Sequence, residues 1–199
     1  MWVYISADYD EDSGDREVVD KLNDWSADKL HKIKFTDTAK VSSGSVAANP
    51  DCRSCDLKME FNRQINAASY VIIIIGDKTA QRTAGSGCER NEKSWYLCEC
   101  TPYKQNANGK KLCKAEFTVP SGDNVGSINS YSYIRHEFEQ AIKRNKKIIV
   151  LYNSFYRQPI WLPSYMKAYE NEAQPFWIWD ASGNKIGNYE YVKKALGYE

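Results

Sequence analysis

The sequence predicts an α/β protein in which a parallel sheet of about five strands carries helices on both faces. Two observations carry this expectation. Segments of strand and helix character alternate repeatedly along the chain. Tyr70-Val-Ile-Ile-Ile-Ile75 is a run of apolar, mostly β-branched residues without polar alternation, the pattern of a strand buried on both faces of a parallel sheet. With 199 residues, 42% apolar and 27% charged, the chain can bury one sizeable core, and a single domain over 1–199 is expected.

Each element has its own signal. Trp2 to Ala7 reads as a first strand, running into the acidic loop Asp8 to Asp12. Val18, Val19, Leu22 and Trp25 recur at helical spacing, which predicts a helix from about Asp15 to Leu30. Ile33 and Phe35 alternate with polar neighbours in a second strand that stops near Asp37, and residues 38–56 are loop-forming. Leu57, Phe61, Ile65 and Ala68 share a helix face that ends at Ser69, before the third strand.

From Thr83 to Ser130 the composition shifts to Gly, Asn, Ser and Lys with four cysteines, and the regular pattern lapses. This segment is an insertion, in which Trp95 to Thr101 and Lys111 to Val119 can pair as a β-hairpin around Asn108-Gly109. The pattern then resumes. Ile134, Phe138, Ala141 and Ile142 predict a helix with Asn145 as its C-terminal cap, followed by a strand over Ile148 to Tyr152. Pro163 starts another helix to about Glu172, Phe176 to Trp179 forms a last strand, and Tyr189 to Leu196 a closing helix.

Charge and hydropathy exclude whole classes of function. The net charge of +1 supplies no field for a nucleic-acid backbone, whose binding neutralises several phosphates. The apolar run Val71 to Ile75 is far short of the roughly 20 residues of a membrane helix. Trp2-Val3-Tyr4-Ile5 shows neither a basic n-region nor an h-region, so a cytoplasmic, reducing location is expected and the six cysteines read as thiols or metal ligands.

Ligands of such sheets bind beyond the carboxyl ends of the strands. That directs attention to Ser6 to Asp12, Thr36 to Lys40, Gly76 to Arg82 and the helix that begins near Tyr133. Glu137 falls at the border of that helix's apolar stripe. Spacing alone leaves two readings open: a solvated acid near a helix N-terminus, or a carboxylate that points into a cleft.

The segment Ile134-Arg-His-Glu-Phe-Glu-Gln-Ala-Ile-Lys-Arg-Asn-Lys-Lys-Ile-Ile-Val150 resembles bacterial TIR domains, in particular those of the Thoeris anti-phage defence systems. There an aromatic residue precedes by four a Glu on the helix that feeds the fourth strand. Ser6 with Tyr9 and Asp10, Arg16 followed by Trp25, and Ile74-Ile-Gly-Asp-Lys-Thr79 extend the likeness over about 1–82 and 131–153. The resemblance implies a three-layer, flavodoxin-like fold and cleavage of the nicotinamide–ribose bond of NAD, with NAD as substrate and no cofactor required.

In that reading Glu137 is the catalytic carboxylate, stabilising an oxocarbenium-like ribose. Ser6, Tyr9, Asp37, Arg82 and Tyr133 become substrate-binding candidates, and Arg135 joins Arg82 as a candidate for the diphosphate. The product is an ADP-ribose-derived signal, linear or cyclic, to a downstream effector, and self-association is expected. The chain departs from the family in having Tyr133 where Trp is usual and in the insertion before the Glu helix.

Other constellations carry other chemistry. Asp8, Asp10 and Asp12 mimic a calcium loop, but Gly14 comes one place late and Val19 stands where a bidentate Glu is needed. Cys88, Cys98, Cys100 and Cys113 can supply four thiolates to a structural zinc that staples the insertion, or Cys52 and Cys55 can combine with Cys98 and Cys100. Unbound thiols are the alternative. His136, about 100° around the helix from Glu137, is expected to be exposed. Beside the NAD-cleaving enzyme stand a non-catalytic TIR scaffold that acts by self-association or protein binding, and a nucleoside deoxyribosyltransferase-like enzyme.

Overall fold

The computed structural model describes residues 1–8, 13–27, 34–37, 60–82, 104–105, 111–112 and 132–198. Its frame is a five-stranded parallel sheet built from β1 (Trp2–Ser6), β2 (Lys34–Asp37), β3 (Tyr70–Ile75), β6 (Lys147–Tyr152) and β7 (Gln174–Pro175). They lie in the order β2-β1-β3-β6-β7. Val3 pairs with Phe35 on one side and Tyr70 on the other, and β3 pairs with β6 along its whole length, from Tyr70 opposite Lys147 to Ile75 opposite Tyr152.

All six residues of β3 are buried, because side chains alternate between two apolar layers. On one side Val3, Ile5, Ile72, Ile74 and Leu151 pack with Val18, Val19 and Leu22 of α1 (Asp15–Ala27) and with Val192 and Leu196 at the end of the chain. On the other, Tyr4, Val71, Ile73, Ile75 and Val150 meet Phe61 and Ile65 of α2 (60–67) and Ile134, Phe138 and Ala141 of α3 (Tyr133–Lys143). The strand run and the helix stripes read from sequence therefore mark the two faces of one sheet.

α3 begins at Ser132, whose side chain accepts a hydrogen bond from the Arg135 backbone N–H. It ends at Arg144 as the cap, with Asn145 one place beyond in a left-handed conformation, φ 51°. The Asn145 and Lys146 amides donate back to the Ile142 and Ala141 carbonyls at 3.0 and 2.9 Å, a Schellman closure. Lys146 then donates its Nζ to the Asn66 and Ala68 carbonyls at 2.8 and 2.7 Å, closing the end of α2.

Several expectations are corrected. Phe176 to Trp179 does not supply the last sheet strand: that position belongs to β7, while β8 (Trp177–Trp179) pairs antiparallel with β9 (Lys185–Gly187) in a separate hairpin. The helix expected after Pro163 is a 3₁₀ helix over Ser164–Tyr169 and stops short of Glu172. In the insertion, β4 (Lys104–Gln105) pairs antiparallel with β5 (Lys111–Leu112). The expected first arm, Trp95 to Thr101, lies outside the described residues, as do Asn108-Gly109 and the 38–56 loop. Ile142, placed in the apolar stripe of α3, is exposed. Tyr189–Ala195 closes the chain as helix α4.

Candidate active site

β1 and α3 build the centre of the site. Tyr4 lies on the α3 side of β1, and period-two alternation sends Ser6 to the same side, one step nearer the carboxyl end. Glu137, one turn into α3, is only 1% exposed. The Tyr4 hydroxyl donates to Glu137 Oε1 at 3.0 Å. Ser6 is also fully buried, and among the described residues its Oγ has no hydrogen-bond partner, a state that costs about 1–3 kcal/mol in an apolar setting. The structure therefore brings Glu137, Tyr4 and Ser6 to one face of the sheet.

The roll of α3 is fixed by polar contacts with α2. His136 is 3% exposed, against the expectation of exposure, and its Nε2 lies 2.9 Å from Asn62 Oδ1. One turn on, Gln140 Nε2 donates to Asn66 Oδ1 at 2.8 Å. These are matching i, i+4 pairs on the two helices, so the faces lock like teeth. With His136 and Gln140 turned to α2, Glu137 is turned to β1.

The remaining predicted site residues are distributed more widely. Tyr133 is half-buried and stands edge-on to Phe61, with centroids 5.7 Å apart. Asp37 ends β2 opposite Ile5. Its side chain, Tyr9 and all six cysteines lie outside the described residues, and so therefore does the zinc expectation. Among the described residues no group of three or more His, Cys, Asp or Glu is placed to hold a metal. Arg82 Nε donates to Asp8 Oδ2 at 2.5 Å.

A second polar centre at the carboxyl edge of the sheet was not singled out from the sequence. Asp15, fully buried at the start of α1, accepts from the Asp8 backbone N–H at 3.3 Å and from Asn153 Nδ2 at 3.1 Å. Asn153 in turn accepts from Trp177 Nε1 at 3.0 Å. Burial pushes the Asp15 carboxyl up to about 7, the two hydrogen bonds opposing the rise and the Asp8 and Asp77 charges adding to it. Gly76 makes room for this carboxylate: a Cβ there would lie 2.7 Å from Asp15 Oδ1. An Asp at the first position of a helix gives no local sign of such burial, which comes from β3 and β6.

A recess of about 360 Å³ opens between the end of β3 and the start of α3. Arg82, Thr79, Ser132, Arg135, Ser164 and Tyr165 contribute to its lining. Glu137 and Ser6 do not. Arg135 lies over the Tyr165 ring, 5.3 Å from its centroid, and donates from Nε to Glu139 at 2.8 Å. Burial raises the Tyr165 hydroxyl to about 12, its oxygen being covered rather than turned to solvent.

Set against protein-family models, curated proteins and solved structures, the chain matches none of them.

Proposed function

We propose that the chain is a TIR-type NAD-cleaving enzyme with a flavodoxin-like, three-layer fold, in which Glu137 stabilises the positive charge that develops on the ribose as nicotinamide departs. The observation that carries this reading is the Glu137–Tyr4 pair: a buried carboxylate held by a hydroxyl at 3.0 Å, with the Ser6 hydroxyl on the same face. The sheet order β2-β1-β3-β6-β7 agrees with the doubly wound arrangement in which such sites form at strand carboxyl ends.

A fixed carboxylate in a water-poor site stabilises an oxocarbenium-like centre more strongly than one in bulk water. Tyr4 holds one oxygen in place and contributes no positive charge. Because Glu137 is covered, the reading requires this face to open when NAD enters. Water or another group of the same nucleotide then attacks the ribose, giving an ADP-ribose-derived product that signals to an effector. Self-association belongs to the same proposal.

The full burial of Glu137 favours a second reading, a TIR scaffold in which the carboxylate only anchors Tyr4. Nicotinamide release from NAD by concentrated protein, compared with Glu137→Gln, separates the two. The enzyme reading expects a loss of at least about a hundredfold, the scale on which removal of one transition-state stabilising group is felt.

A further inference from the structure

We propose that the recess between β3 and α3 is a binding site for a phosphate or diphosphate group, with Arg82 and Arg135 as its cationic walls. Among the described residues its lining holds two guanidinium groups and no carboxylate, although acids abound elsewhere in the chain. The two arginines come from different elements, Arg82 from the end of the turn after β3 and Arg135 from the first turn of α3.

Each guanidinium is oriented from the side. Asp8 holds Arg82 and Glu139 holds Arg135, and the Tyr165 ring lies under Arg135. Neither acid lines the recess. The arginine side chains remain 30% and 43% exposed, so an anion reaches them without unfolding. Arginine forks match phosphate oxygens in geometry as well as charge. Ser164, exposed at the rim, adds a neutral donor.

The site is distinct from Glu137. Arg135 lies two residues before Glu137, about 200° around the helix, so the two side chains leave α3 on different sides. The anion belongs either to the diphosphate of the dinucleotide whose ribose Glu137 stabilises or to a separate phosphorylated ligand. The first source rests on the enzyme reading. The second does not.

Titration calorimetry of the full chain with ADP-ribose, inorganic pyrophosphate and adenosine tests the site. ADP-ribose and pyrophosphate bind, and adenosine alone does not. Arg82→Gln and Arg135→Gln each weaken ADP-ribose and pyrophosphate binding by about tenfold or more, as expected for loss of a charge-assisted hydrogen bond. Ser164→Asp does the same by repulsion while leaving both ion pairs intact, which guards against a variant that fails to fold.

Displacement of bound pyrophosphate by NAD assigns the site to the substrate, and simultaneous binding assigns it to a second ligand. Pyrophosphate binding that survives all three substitutions, or no pyrophosphate binding by wild type, overturns the proposal. Absence of nicotinamide release with pyrophosphate binding intact overturns only the enzyme reading.

Discussion

The Tyr4 hydroxyl donates to Glu137 Oε1 at 3.0 Å, joining the first strand to α3 across 133 residues of sequence, and both groups are buried. Tyr4 is the middle residue of β1 and among the largest fully buried side chains. Removal of its hydroxyl leaves a buried carboxylate oxygen without this donor. Tyr4→Phe is therefore expected to cost about 1–3 kcal/mol in stability by urea denaturation. Glu137→Gln keeps an acceptor at the same place and is expected to cost less. Equal stability of Tyr4→Phe and wild type would show that this hydrogen bond contributes nothing.

Asp15 gives the protein a pH dependence of defined sign. Its carboxyl titrates near 7 in the fold because burial opposes its charge, and near 4 in the unfolded chain. The folded state therefore holds the proton more tightly. This contribution is fully present below about pH 4, declines as the pH rises to about 7, and is lost above that. At about 1.4 kcal/mol per unit, the loss amounts to at most about 4 kcal/mol. Stability measured from pH 4 to pH 8 should fall more steeply for wild type than for Asp15→Asn, and parallel curves would show that Asp15 is not the group responsible.

Gly187 marks where the β8–β9 hairpin docks. A Cβ there would approach Phe176 Cζ to 2.8 Å and Trp25 Cζ2 to 2.9 Å. Both are rigid rings within one tilted pair, with centroids 5.6 Å apart. Gly187→Ala should cost about 1–3 kcal/mol, as overpacking does, with a shift in tryptophan fluorescence. Gly183, whose added Cβ would meet nothing but whose φ is +79°, should lose about 1 kcal/mol by backbone strain on substitution to Ala, without that shift.

The end of α3 can be improved. Asn145 occupies the left-handed position that closes the helix feeding β6. Asn145→Gly should leave stability unchanged or raise it by up to about 1 kcal/mol, and Asn145→Ala should lower it by about 1 kcal/mol. The two thermal midpoints must move in different directions, or at least separate, for this geometry to hold.

Much of the frame was legible because its signals are local. β3 is an unbroken apolar run, and the burial of Phe61, Ile65, Ile134 and Phe138 follows helical spacing. Glu137 was legible as a border position, but its inward direction depends on Asn62 and Asn66, which turn His136 and Gln140 toward α2. No spacing within α3 reveals those partners, so His136 was expected on the surface.

Asp15 has the sequence signature of an ordinary helix-start acid, and only the approach of Gly76 and Asn153 buries it. The edge strand was misplaced for a similar reason. Phe176 to Trp179 has the stronger β composition, yet the two-residue β7 with Pro175 joins the sheet. An edge position tolerates proline because one side of the strand needs no donor.

Nicotinamide release from NAD by the full chain at high concentration, with the product followed by chromatography and mass spectrometry, tests the central claim most directly. Wild type is expected to release nicotinamide and form an ADP-ribose-derived product, with Glu137→Gln folded but slower by at least about a hundredfold. Equal release by the two proteins would contradict the role given to Glu137.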